Sequence, residues 1–363
     1  MKAAICYEFG APLKVEEVTL DPPGRGEVKV RVAATAICHS DVSAFHGDWG
    51  GRVPMVAGHE TAGIVEEVGE QVASVKPGDR VVVSLLRSCG RCFYCLSGAP
   101  NQCNGTFASD AETHLRTAGG EPLARRFGTA SFAEYTVVDQ SQVVQIPEVI
   151  PLDRAALLAC GVITGVGAVV HTARMEAGAT VVVIGTGGVG LNAVQGARLA
   201  GARRIVALDM LDSKLAVAET FGATHTINAG RDDVRKLILD LTGGRGADYV
   251  FVTVGSTAAI AQGQTLLRSR GTLTIVGVPP RTATVQLPTY HLAVGEQRIL
   301  GSFMGSSRLA MDVPWLVDLY LQGRLKLDEL ITARYPLDQI NEAMAKLEAG
   351  EALRNLIVFS SGA

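Results

Sequence analysis

Between Ala179 and Ala202 the chain reads ATVVVIGTGGVGLNAVQGARLAGA, an order of residues that leaves little choice of fold. Val181 to Ile184 are β-branched and apolar, as a buried strand requires, and Gly185 closes the run. Beyond it, Val189, Ala193, Val194 and Ala197 recur at helical spacing and predict one packed face. Between strand and helix lies G-x-G-x-x-G: Gly185, Gly187 and Gly190. Glycines there let the turn tighten, let backbone approach a pyrophosphate and let the helix pack closely on the strand. The helix start, at Gly188 and Val189, offers N–H groups and a positive dipole to phosphate. A second strand, RIVALD, ends at Asp209, 19 residues after Gly190. A carboxylate at that place accepts ribose hydroxyls and repels a 2′-phosphate. No Arg immediately follows it, so the reading is NAD rather than NADP. The bland alternative is an incidental loop in a chain with 41 glycines.

The alternation continues through ATHTIN, a helix near Asp232–Leu241, ADYVFVTV, a helix near Thr257–Arg268, and GTLTIVGV. Strands separated by helices of this length predict right-handed crossovers and a doubly wound parallel sheet, the Rossmann architecture. Before residue 150 the texture changes. EVKVRVAATAI, AGIVEEVG, GDRVVVSLL and SFAEYTVV are short strand-like runs set off by Gly, Pro and Asp, which predicts an irregular antiparallel β domain. After residue 303 come two helix-like segments and a closing strand, RNLIVF. The chain of 363 residues thus divides into a catalytic domain at 1–161, a coenzyme domain at 162–303 and a return to the first domain at 304–363. Residues 104–129 read as a long polar loop.

Four of the seven cysteines fall within CGRCFYCLSGAPNQC, at Cys89, Cys92, Cys95 and Cys103. Nothing at the N-terminus resembles a signal peptide, and apolar stretches are broken by Gly before they can span a bilayer. The expected location is therefore the cytoplasm, where clustered thiols bind metal more often than they form disulfides. Four thiolates on short loops can close around one Zn(II) tetrahedrally, a structural site. An iron–sulfur cluster is the rival reading, and unliganded thiols or two disulfides the bland one. The net charge of -3, with basic residues scattered, argues against nucleic acid and anionic membrane as partners.

The remaining metal-type residues are dispersed. AICHSD supplies Cys38, MVAGHE supplies His59 and Glu60, and LLACGVITG supplies Cys160. Two thiolates and an imidazole can fill three zinc positions and leave the fourth open. A metal so held polarises an alcohol oxygen and lowers its pKa. Asp41 is placed to accept the second ring N–H of His59. Against this, a lone Cys in an apolar run is usually a core residue and a lone His usually just hydrogen-bonded.

Taken together, these residues resemble the zinc-containing medium-chain alcohol dehydrogenases, from the first strand to about Arg354. GHE-x2-G-x-V-x2-VG matches Gly58–Gly69, Cys89–Cys103 match the family's structural lobe, and IGTGGVG matches its coenzyme loop. The resemblance implies a β-rich GroES-like catalytic domain beside the Rossmann domain, and two Zn2+ per chain. It implies Cys38, His59 and Cys160 as ligands of the catalytic zinc, with Glu60 the carboxylate that exchanges into its shell. It implies Ser40 as acceptor of the alcohol proton and Asp41 as the support of His59. His39 and Arg354 would face the coenzyme pyrophosphate, and Asp209 and Lys214 the adenosine ribose. Trp49 and Leu85 would line the substrate pocket.

Departures from the pattern matter. Many relatives carry histidine five residues after the first zinc cysteine, to finish the proton relay; here that residue is Ser43. Leu85 stands where the animal enzymes are often aromatic, and Trp49 where glutathione-dependent formaldehyde dehydrogenases tend to have an acid. The long loop resembles the branch whose members are usually dimers. The expectation is an NAD-dependent dehydrogenase acting on a small-molecule primary alcohol or its aldehyde, aromatic or otherwise bulky. The alternatives are an S-(hydroxymethyl)glutathione-type or secondary-alcohol dehydrogenase of the same family, a zinc-free enone or quinone reductase, and a non-enzymatic dinucleotide-binding protein. Cys38, His59 and the cysteine lobe argue against the last two.

Overall fold

The computed structural model describes residues 1–107, 110 and 113–359. It divides into two compact units, one formed by Met1–Gly161 with Arg308–Ala363 and the other by Val162–Ser307. The return to the first unit thus comes at Arg308, a few residues beyond the expected 304.

In the second unit, six strands form one parallel sheet in the order His225–Asn228, Arg204–Asp209, Thr180–Ile184, Ala247–Val252, Leu267–Ile275, Arg298–Gly301. Thr180–Ile184 is buried at every residue, as expected where helices cover both faces. Val182, Ile184, Val206, Leu208, Val250 and Val252 share one core with Ile260 and Leu273. The strand order reverses beside Thr180–Ile184, so the Gly185–Gly190 turn lies at the sheet's switch point, the place where open α/β sheets bind ligands. The expected helix near Thr257–Arg268 ends at Thr265, and Leu267 is already paired with Ala247 in the sheet. Arg298–Gly301 was not foreseen as a strand, being only four residues long; its alignment with Thr272–Ile275 creates it.

The first unit is irregular and mostly antiparallel. Its largest sheet has seven strands, organised around Glu27–Ala36. One edge of that strand pairs with Glu60–Val68 along its length. The other edge is shared: Tyr135–Asp139 pairs with Glu27–Arg31, and Arg354–Val358 pairs with Ala34–Ala36. Arg80–Val83 and Val143–Gln145 extend the Glu60–Val68 side, and Ile331–Tyr335 adds a parallel strand beside Arg354–Val358. The expected return is present as helices Leu309–Leu321 and Ile340–Glu348 and the closing strand. Residues 104–129 are less loop-like than their polarity predicted. Leu115–Thr117 joins a small three-stranded sheet, and Ala124–Arg125 pairs with Met55–Val56. Residues 108, 109, 111 and 112 of this segment lie outside the described residues. Among the described residues no single helix is long and apolar enough to cross a membrane.

Candidate metal centres and coenzyme loop

Strand pairing assembles the first centre. The register Ala36↔Glu60 brings the end of one strand beside the start of its neighbour, and with them Cys38 and His59. Cys38 caps the helix His39–His46, and its N–H donates to Asp41 Oδ2 at 3.0 Å. Cys160 follows the short turn Leu157–Ala159, whose last carbonyl accepts from Ser84 Oγ at 2.7 Å. The ligand atoms of Cys38, His59, Glu60 and Cys160 all lie within 4.8 Å of one another, and all four residues are buried.

His59 Nδ1 donates to Asp41 Oδ1 at 3.0 Å, which fixes the tautomer. Asp41 Oδ1 also accepts from Gly58 N at 3.1 Å, so the carboxylate is itself held. Nε2 is buried and has no hydrogen-bond partner, a costly state for a buried polar atom. The Cys160 thiol hydrogen-bonds Cys38 and holds it well below the ordinary thiol value, with His59 adding to the effect. The same bond, together with burial, pushes Cys160 well above. Burial opposes charge on His59, yet Asp41 and Cys38 keep it well above its usual range. This donor set, two sulfurs, one imidazole nitrogen and a nearby carboxylate, fits zinc.

Burial pushes Glu60 up to about 8, while Arg354 pulls the other way. Arg354 Nε stands 3.4 Å from Glu60 Oε2, and the guanidinium is 3% exposed. Its observed partner is the carboxylate of the His59–Glu60 pair. Gly161 makes this possible: any Cβ there would sit 2.2 Å from Arg354 Nη2. Ser40 lies half-buried and His39 exposed on the helix after Cys38, while Trp49 and Leu85 are half-buried.

The four clustered cysteines also converge, with all Sγ atoms within 4.8 Å. Backbone N–H groups point at sulfur: Cys89 N and Gly105 N donate to Cys103 at 3.3 and 3.4 Å, and Cys95 N to Cys92 at 3.5 Å. Donation from Cys95 and Asn104 lowers Cys92 to about 6, which favours the thiolate a metal needs. All seven cysteines are free, so the disulfide reading is not realised.

In the second unit, Gly185 has φ 88° and its carbonyl accepts from Thr253 Oγ1 at 2.8 Å. A Cβ at Gly190 would stand 1.8 Å from Gly185 O, whereas one at Gly187 would meet nothing within 4 Å. The helix Gly188–Leu199 buries Ala193, Val194 and Ala197 as expected. Val189 is only half-buried, and Asn192 and Gln195 are enclosed instead, with Asn192 Nδ2 donating to Gly188 O at 2.7 Å. Asp209 holds the turn: Oδ2 accepts from Thr186 N and Oγ1 at 2.8 and 3.0 Å, and Oδ1 from Met210 N and Leu211 N at 2.8 and 3.1 Å. Lys214 lies half-buried in the first turn of the helix Asp212–Phe221.

Sequence reasoning missed Phe127, whose ring centroid is 4.6 Å from that of His59. It also missed the buried hydroxyls of Thr35, Thr61 and Ser131, which bond to one another. The run RRFGTASF carried the only signal, an aromatic and small polar residues where a plain loop was expected.

Two family models match the chain: "Alcohol dehydrogenase GroES-like domain" over residues 24–148 and "Zinc-binding dehydrogenase" over 188–322. The chain is 38% identical to S-(hydroxymethyl)glutathione dehydrogenase of Paracoccus denitrificans, over 99% of both chains. Its structure resembles benzyl alcohol dehydrogenase from Acinetobacter calcoaceticus, with TM-score 0.93, 31% identity and 99% of both chains covered. It also resembles a putative zinc-binding dehydrogenase from Sinorhizobium meliloti solved with NADP, with TM-score 0.84, 29% identity and 99% of both chains covered.

Proposed function

The chain belongs to the zinc-containing medium-chain alcohol dehydrogenases, and we propose that it transfers a hydride between an alcohol and NAD, with two zinc ions per chain. The observation that carries this reading is the convergence of Cys38, His59 and Cys160 around the unpartnered Nε2, beside a separate four-cysteine lobe. Zinc at the first site supplies the Lewis acidity that makes the alcohol proton labile, and the bound nicotinamide supplies the hydride acceptor.

The chain's own residues do the rest. Asp41 holds His59 in the tautomer that leaves Nε2 free as a ligand. Ser40, two residues from Cys38, takes the alcohol proton, since a hydroxyl accepts one proton while it donates another. Glu60, pushed up to about 8 by burial, stands among the ligand residues with the Arg354 guanidinium 3.4 Å away. The N–H groups that open the helix at Gly188 bind the pyrophosphate, and the family resemblance assigns His39 and Arg354 to the same group. Asp209 and Lys214 meet the adenosine ribose; the carboxylate's negative charge favours NAD over NADP.

The curated relative's name gives the S-(hydroxymethyl)glutathione reading more support than the expected primary aromatic alcohol. The second reading stays because the benzyl alcohol dehydrogenase matches over the whole chain at TM-score 0.93. Trp49 and Leu85 line the pocket in either case. A cytoplasmic homodimer is the form in which we expect the enzyme. Rates with formaldehyde plus glutathione and with benzyl alcohol, each with NAD and NADP, test these choices. Elemental analysis should find about two zinc ions per chain. A zinc content near one, or better turnover with NADP, would overturn the corresponding part.

A further inference from the structure

Beside the metal ligands, a cavity of about 370 Å³ is lined by Arg52, Met55, Ala124, Arg125, Arg126 and Phe127. The volume is at the lower end of the range for small-molecule sites. Its wall has unusual chemistry for a pocket that serves uncharged alcohols. Met55 and Ala124 pair across a two-stranded ribbon, which sets an apolar floor. Phe127 forms an aromatic side and links the cavity to the metal centre, because its ring packs against His59. Its backbone sits at φ 59° and ψ 11°, the left-handed region that a bulky side chain enters only when its surroundings impose it.

Three guanidinium groups complete the lining. Arg126 Nη1 donates to Gly50 O at 3.0 Å, next to Trp49, and its guanidinium lies 5.3 Å from the Phe127 ring centroid. Arg52 is exposed at the mouth of the same loop. Arg125 is more enclosed and donates to Val137 O, with Glu27 and Asp110 the acidic groups that face it. Both acids are already engaged, Glu27 with His114 at 2.8 Å and Asp110 with Arg87 at 2.6 Å. The result is an apolar floor, an aromatic side and a basic rim.

We propose that Arg52 and Arg126 form a specificity subsite for a carboxylate carried by the substrate alcohol, with the substrate's apolar body against Phe127 and Met55. Guanidinium forks bind carboxylates through paired, charge-assisted hydrogen bonds, and these are stronger in a partly enclosed site than in water. The proposal rests on the dehydrogenase reading above and deepens it by naming the substrate class.

The test compares benzyl alcohol with 3- and 4-(hydroxymethyl)benzoate in the zinc-loaded enzyme with NAD. A carboxylated alcohol should show kcat/KM at least roughly tenfold above benzyl alcohol at low salt, as for one charged hydrogen bond gained. Arg52→Gln should narrow that ratio by about tenfold, and Arg126→Met should do the same. Arg52 is exposed, so its variant folds even if Arg126→Met disturbs the Gly50 turn. Titration calorimetry with benzoate reads the subsite independently of turnover: wild type should bind it, and Arg52→Gln should bind more weakly. Benzyl alcohol oxidised as well as the carboxylated alcohols, with no benzoate binding, would overturn the subsite and leave the dehydrogenase reading intact. Benzoate binding that needs Arg52, with no alcohol oxidised, would support the subsite and overturn the reading on which its role rests.

Discussion

Asp41 is the residue on which the proposed metal centre turns, although it stands outside the Cys38, His59, Glu60 and Cys160 cluster. Its two oxygens bond His59 Nδ1, Gly58 N and Cys38 N, and so fix two ligands and the backbone between them. Asp41→Asn keeps the shape but leaves one acceptor oxygen for three N–H donors. Zinc affinity at the first centre should fall about 10–100-fold, measured by competition with a chelator. A second buried carboxylate affects stability rather than chemistry. Glu27 is 2% exposed; burial works against its charge, but His114 and the Gly24 N–H outweigh it and hold the carboxyl below its usual range. A depressed folded-state pKa means that the stabilisation is present above about pH 4.3 and is lost as pH falls through the folded value. Glu27→Gln should therefore cost about 1–3 kcal/mol at pH 7, and acidification through the folded value should erase the difference from wild type in denaturant titrations. Of these two residues, Asp41 was legible because it stands three positions from a candidate ligand. Glu27 was not, since its partner His114 belongs to another strand region and no local pattern connects them.

At the scale of elements, the glycine turn shows how one motif combines two different demands. Gly190 is required by packing, because a Cβ would overlap Gly185 O, while Gly187 has open space around it. Gly190→Ala should destabilise the whole unit and lower the melting temperature by several degrees. Gly187→Ala should leave melting nearly unchanged and weaken NADH binding, read by fluorescence titration, because open space there is what backbone approach to a pyrophosphate requires. Equal effects of the two changes on melting would refute the distinction. The turn and its strand were readable because β-branched residues and fixed glycine spacing are local signals. Arg298–Gly301 and Ile331–Tyr335 were not, being four and five residues long and defined mainly by the neighbours they pair with. Val189 misled the periodic reading for a related reason. The helix it opens is enclosed on more than one face, so Asn192 and Gln195 are buried with hydrogen bonds that no apolar pattern reveals.

At the scale of the whole molecule, the resemblance carried the catalytic zinc set from an open question to an expectation. The pairing of Glu60 with Arg354 shows what it could not carry, a contact between strands from opposite ends of the chain. That separation also orders events during synthesis. The unit Val162–Ser307 is one continuous stretch and is complete once its last residue leaves the ribosome. The other unit is not, because Ala34–Ala36 wait for Leu356–Val358 to cover their edge. Until then the nascent chain carries one open strand edge at Ala34–Ala36, close in sequence to Cys38, a natural point for chaperone capture or premature oxidation. Ribosomes stalled with residue 307 just clear of the exit should bear a nucleotide-binding unit that resists protease, joined to an N-terminal portion that is still cleaved. Resistance of both at that length would mean that the closing strand is dispensable for the first unit. Vectorial translation thus assigns the two halves of this enzyme different ages, and the metal-bearing half is the younger although its synthesis begins first.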